Sequence, residues 1–170
     1  MTRSSAREIA VRLSFALGFA DQTVEEFLNE ALSRESFERW EEEDALYHEY
    51  PNEKQRQYIS ALVKGIYDHG VELDSYISKY AIGWSFSRIS RVAAAIMRVA
   101  MYEILYMPDI PASASINEAV ELAKRYESPE IAGFVNGILG SYVRNELPAE
   151  YVPARNAGED TETKGVEAEK

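Results

Sequence analysis

One stretch of this chain constrains its fold more than any other. Between Arg88 and Met107, Ile89, Val92, Ala93, Ile96, Ala100 and Ile104 recur at helical spacing. Met97, Val99 and Met101 make the remaining faces apolar as well. A helix that is apolar nearly all round is stable in water only at the centre of other helices. The segment cannot serve as a membrane span, because Arg98 and Glu103 interrupt it and a bilayer needs about 20 apolar residues. The sequence therefore predicts a soluble bundle built around this element.

Further helices are marked by their start and stop signals. Ser5 with Glu8 reads as a capping box opening a helix to about Phe19, and Thr23 with Glu26 reads as a second, running to about Arg34. Asn52 with Gln55 reads as a third, with Gly70 as its C-cap and a shorter helix over Val71–Tyr80. A turn around Gly83 and Trp84 leads to the central helix, beginning at Ser87 or Arg88. A helix over about Ala112–Tyr126 follows, then one opened by Ser128 and Pro129 and stopped by Pro148. No stretch alternates with period two, so the expected class is all-α, with about seven helices. One domain over 1–148 is expected. The residues from 149 to 170 lose periodicity and read as a disordered acidic tail.

The net charge of −11 is unevenly spread. Residues 1–20 hold three arginines against one glutamate, whereas residues 21–53 hold twelve acidic residues against two arginines. Residues 21–53 are thus an acidic, insertion-like helical stretch. Its run Glu41–Asp44 reads as a solvated helix face. An acidic chain binds phosphate weakly in bulk, but a local basic site can still read single-stranded RNA by stacking and hydrogen bonds. The absence of cysteine excludes disulfides, thiolate metal sites and thiol nucleophiles, and fits a cytoplasmic protein. The two histidines, His48 and His69, read as solvent-facing. No nucleotide-binding loop, nucleophile elbow or metal-ligand pattern is present, so no enzyme and no cofactor are expected. Gly133 and Gly137 read as close packing or as surface.

Residues 108–139, PDIPASASINEAVELAKRYESPEIAGFVNGIL, carry a proline-containing turn, then INEAVELAK, then FVNGIL. Residues 91–106 carry a Tyr102-Glu103 pair on an apolar helix, and Ala6–Val11 reads AREIAV. Together these segments resemble the NusB family over roughly residues 3–19 and 54–145. The resemblance implies a NusB-type fold of two small helical bundles packed side by side. It also implies a transcription antitermination factor that binds boxA-type single-stranded RNA with NusE, a ribosomal small-subunit protein. Such a factor joins the transcription elongation complex, notably on ribosomal RNA operons, and acts by scaffolding.

Within that frame Arg3, Arg7, Phe15, Lys124, Glu130 and Phe134 are the expected RNA-binding residues. Arg3 and Arg7 are four apart and can straddle phosphates at a helix start. Phe15 lies two further four-residue steps on and offers a ring for base stacking. Its family counterpart is often tyrosine, and Ser4 and Ser5 stand where family members often carry arginines. Glu103 and Glu118 are expected to face the basic partner protein. Each has a plainer structural reading. The arginines can be a solvated helix start, Lys124 a helix-end charge, and Phe15 and Phe134 core. Asn117 and Asn136 can be a buried hydrogen bond between helices. Two other functional classes remain open. One is a protein-only interaction module, a homodimer burying the arginine face. The other is an RNA-binding module like that of ribosomal RNA cytosine methyltransferases.

Overall fold

The computed structural model describes residues 1–85 and 88–148. The tail expected over 149–170, and Ser87 as a helix start, lie outside the described residues. Among them there are seven α-helices and no strand, with a short 3-10 turn over Ala45–Tyr47.

Helix α1 spans Arg3–Leu17 and α2 spans Val24–Ala31. Thr2, rather than Ser5, caps α1, accepting from Ser5 N at 3.0 Å. Glu8 is thereby free to turn towards Arg12, Arg125 and Tyr126. The Thr23–Glu26 capping box opens α2 as expected. Helix α3, Arg34–Glu41, is a separate element because Ser33 caps it anew. The acidic run after it is not a helix face. Glu41 ends α3, Glu42 is its C-cap, and Asp44 caps a 3-10 turn over Ala45–Tyr47.

Helix α4 is a single element of 28 residues, Glu53–Tyr80, opened by the Asn52–Gln55 box. At about 1.5 Å per residue it is roughly 42 Å long. The expected break at Gly70 does not occur. Leu62, Ile66, Leu73 and Ile77 keep one buried stripe running past the glycine, and Gly83 is the only described glycine with positive φ, 83°. Helix α5, Arg91–Tyr106, starts three residues later than Arg88, where Ser90 caps it. Helices α6, Ala112–Tyr126, and α7, Pro129–Glu146, form a hairpin across Glu127 and Ser128.

Helix α5 occupies the centre. Ala93–Met97 and Val99–Met101 are all buried, and α5 packs against α1, α4, α6 and α7. Its alanines let neighbours approach closely, and Gly65 of α4 does the same for the Tyr102 ring. Burying its apolar groups contributes roughly 25 cal/mol per Å² removed from water. The long α4 runs through both helical groups, and one hydrophobic cluster joins elements from α1 to α7. The two bundles thus share a core. No helix among the described residues is long and apolar enough to cross a membrane.

Candidate nucleic-acid interface

Helix α1 organises the site. It runs antiparallel to α5, with Arg7 against Glu103 at one end and Phe15 beside Ala94 and Ala95 at the other. It runs alongside α6, with Ser4 bonded to Glu118 and Glu8 to Arg125 and Tyr126.

Arg3 stands exposed at the start of α1, its guanidinium 4.7 Å from the centre of the Tyr58 ring, with no carboxylate partner among the described residues. It lines a cleft with Asn52, Lys54, Gln55 and Tyr58. Phe15 is 37% exposed and packs against the more exposed Phe19, ring centres 5.3 Å apart. It is therefore available rather than core. Twelve residues separate Arg3 from Phe15, about 18 Å of helix, so the structure does not bring them together. Lys124 is exposed and pairs with Glu121. Glu130 is exposed on the first turn of α7. Phe134 is half-buried against Trp84, ring centres 5.3 Å apart.

Arg7 and Glu103 are not where the sequence reading puts them. Arg7 is 3% exposed and Glu103 is 0% exposed. The two form a bidentate pair, Nε to Oε1 at 2.5 Å and Nη2 to Oε2 at 2.8 Å. Burial alone would depress the Arg7 pKa, but the Glu103 hydrogen bond and charge hold it above the ordinary value. Arg7 also lies 3.6 Å from the half-buried Glu118. The pair clamps α1 to α5, so neither side chain offers a surface to RNA or protein. Arg7 and Phe15, two four-residue steps apart, do not share a face of α1. Eight residues at 3.6 per turn rotate about 80° beyond two full turns, which turns Phe15 outward while Arg7 points in. Asn117 and Asn136 also differ from the buried bond considered for them, since both are exposed. Gly133 and Gly137 face open space.

Sequence reasoning missed several neighbours. Arg91 lies over the Phe19 ring at 5.0 Å and, with Phe15, Ile89 and Arg98, lines a cleft of about 420 Å³. Arg12 forms the middle of the surface. It donates to Asp44 at 2.6 Å and to Tyr126 at 2.7 Å. Burial would lower its pKa, yet those hydrogen bonds raise it. Tyr126 is pushed up to about 12, by burial first and then by its bond to Glu8. Spacing gave no hint of these contacts, which cross from one helix to another. Through Arg12–Asp44 and Lys64–Glu25 the acidic stretch closes on the middle of α1 and on α4. It leaves Arg3 and Phe15 uncovered. No cluster of three or more metal-ligating side chains occurs among the described residues.

The NusB family model matches residues 4–144. The transcription antitermination protein NusB of Acetivibrio thermocellus is 42% identical over 147 residues, covering 86% of this chain and 92% of that protein. The protein of the same name from Bacillus subtilis is 36% identical over 141 residues, covering 83% and 94%. The solved structure of T. maritima NusB superposes with a TM-score of 0.72 at 30% identity, covering 89% of this chain and 96% of that one. The family match runs from the first turn of α1 to the last turn of α7, and by it the chain belongs to the NusB family of transcription antitermination proteins.

Proposed function

We propose that this antitermination protein binds boxA-type single-stranded RNA together with the ribosomal small-subunit protein NusE, delivering both to the transcription elongation complex. Its work is regulatory rather than enzymatic. The observation that carries the RNA reading is the exposure of Phe15 and Phe19 beside Arg91, rings and a cation that a soluble core would have no reason to leave uncovered. Single-stranded bases stack on such rings, and arginine adds phosphate contacts.

In this reading an extended strand lies along α1. Arg3 holds a phosphate at one end and Phe15 stacks a base about 18 Å away. Lys124 on α6 and Glu130 and Phe134 on α7 belong to the same RNA-facing set in this reading. Arg7 and Glu103 act as positioning residues that hold α1 straight. Glu118, half-buried and bonded to Ser4, is the remaining acidic candidate for the basic partner protein.

The test uses the two exposed residues. Arg3→Ala and Phe15→Ala should each weaken binding of a boxA oligonucleotide while leaving thermal unfolding unchanged. Full retention of affinity in both variants would overturn the proposed surface.

A further inference from the structure

The acidic stretch carries a feature opposite to its overall charge. Tyr50, just before α4, has two guanidinium groups against its ring, that of Arg34 at 4.4 Å and that of Arg56 at 5.2 Å from the ring centre. Arg34 is the first residue of α3 and is exposed, and Arg56 sits on the first turn of α4. The scaffold is fixed. Tyr50 donates to Leu32 O at 2.6 Å, its ring meets Phe37 edge-on at 5.2 Å, and Arg56 donates to Pro51 O at 2.6 Å.

The pair has no counter-charge of its own. Arg7, Arg12 and Arg98 each grip a carboxylate. Among the described residues neither Arg34 nor Arg56 reaches one within 4 Å, in a chain with 29 acidic residues. Glu35, next to Arg34, pairs with Arg39, and Glu49, next to Tyr50, takes the Met1 amine. Glu53 stands on the same turn of α4 as Arg56. Two cations held against one ring repel each other, and bound anions relieve that repulsion. Guanidinium forks match phosphate oxygens. The ring itself is already occupied by the arginines, so the pair offers phosphate contacts rather than base stacking.

Its position gives the occupant. Arg56 is two residues from Lys54, and Lys54 lines the same cleft as Arg3. The first turns of α4 lie beside the start of α1, where Gln55 donates to Met1 O and Arg3 covers the Tyr58 ring, so the arginine pair stands near the end at which the proposed RNA surface begins. We infer that Arg34 and Arg56 form a phosphate clamp for single-stranded RNA flanking the boxA-type segment, extending the footprint past Arg3. This inference rests on the RNA reading proposed above. It gives part of the acidic stretch an RNA-facing role.

The experiment compares two RNAs on the full chain by fluorescence titration: a boxA oligonucleotide, and the same with single-stranded uridine extensions at both ends. The proteins are the unmodified chain, Arg34→Gln/Arg56→Gln and Arg34→Lys/Arg56→Lys. For the unmodified chain the extended RNA should bind more tightly and with a steeper salt dependence. The glutamine variant should lose that gain, roughly three- to tenfold, with a log–log salt slope shallower by about 1 to 1.5, as expected for two lost phosphate contacts. Its affinity for the short RNA should be unchanged. The lysine variant keeps both charges and should keep most of the gain, which a purely structural role for the arginines would not require. Inorganic phosphate should compete only at millimolar levels, as one isolated phosphate lacks the rest of the strand.

If the short RNA binds but the extension adds nothing, or adds equally to the glutamine variant, the clamp is overturned and the boxA reading stands. If neither RNA binds the unmodified chain, both fall. Competition by micromolar phosphate would overturn the RNA assignment in favour of a small-anion site.

Discussion

Arg7 Nη2 lies 2.8 Å from Glu103 Oε2, and Arg7 Nε lies 2.5 Å from Glu103 Oε1, with both side chains sealed between α1 and α5. A buried pair is costly to form but far costlier to break, because removing one partner leaves an uncompensated charge. Arg7→Ala should therefore destabilise the protein by about 3–5 kcal/mol, read as a lowered urea midpoint. Arg3→Ala, at an exposed site, should move it little. Equal stability of the two variants would show that the buried pair does not clamp α1. Any RNA-binding loss in Arg7→Ala must accordingly be measured where that variant is folded.

Two glycines should respond in opposite directions. A Cβ on Gly65 would run into the Tyr102 ring, which on its other contacts packs against the Tyr106 ring, centres 4.9 Å apart. Gly65→Ala should destabilise by about 1–3 kcal/mol, the usual cost of overpacking. Gly137→Ala, in α7 with open space around it, should stabilise by about 0.5–1 kcal/mol through lower backbone entropy in the unfolded chain. Thermal unfolding of the two single variants checks both signs.

Asp44 makes the attachment of the acidic stretch sensitive to acid. Its carboxylate accepts from Leu46 N at 2.9 Å and from Arg12 at 2.6 Å, and these bonds hold its pKa below the usual carboxylate range. A carboxylate depressed in the folded state stabilises above its unfolded pKa of about 3.9, and that contribution is lost as pH falls through the folded value. Asp44→Asn should thus be less stable than the unmodified protein at pH 7, with the difference shrinking at pH 3. A difference that stays constant over that range would contradict the assignment.

Much of the fold was legible from the sequence because it is written in local signals. The boxes at Thr23–Glu26 and Asn52–Gln55 mark real helix starts, and the all-round apolar segment is the central helix. Gly70 misled because a glycine stops a helix only when the apolar stripe stops too, and here Leu73 and Ile77 continue it. The site was legible only in part. Phe15 and Arg3 are as exposed as a binding role requires. The burial of Arg7 and Glu103, 96 residues apart, is a tertiary pairing that spacing along one helix cannot reveal. The contacts of Arg91 with Phe19 and of Arg34 and Arg56 with Tyr50 are of the same kind.

Stacking at Phe15 separates two contributions to RNA binding. Phe15→Ala should cost about 1–3 kcal/mol of affinity, the range for a lost base–aromatic stack, with the salt slope unchanged. Arg3→Ala should instead make the slope shallower by about 0.7. Titrations of both variants at several salt concentrations check the distinction, which disappears if neither residue touches RNA.

Recognition of boxA-type RNA with the help of NusE is what we propose for this member of the NusB family. The most direct measurement is a fluorescence titration of boxA RNA against a scrambled RNA of equal length, with and without NusE. BoxA RNA should bind more tightly, with a further gain when NusE is present. Equal binding of the two RNAs in the presence of NusE would contradict it.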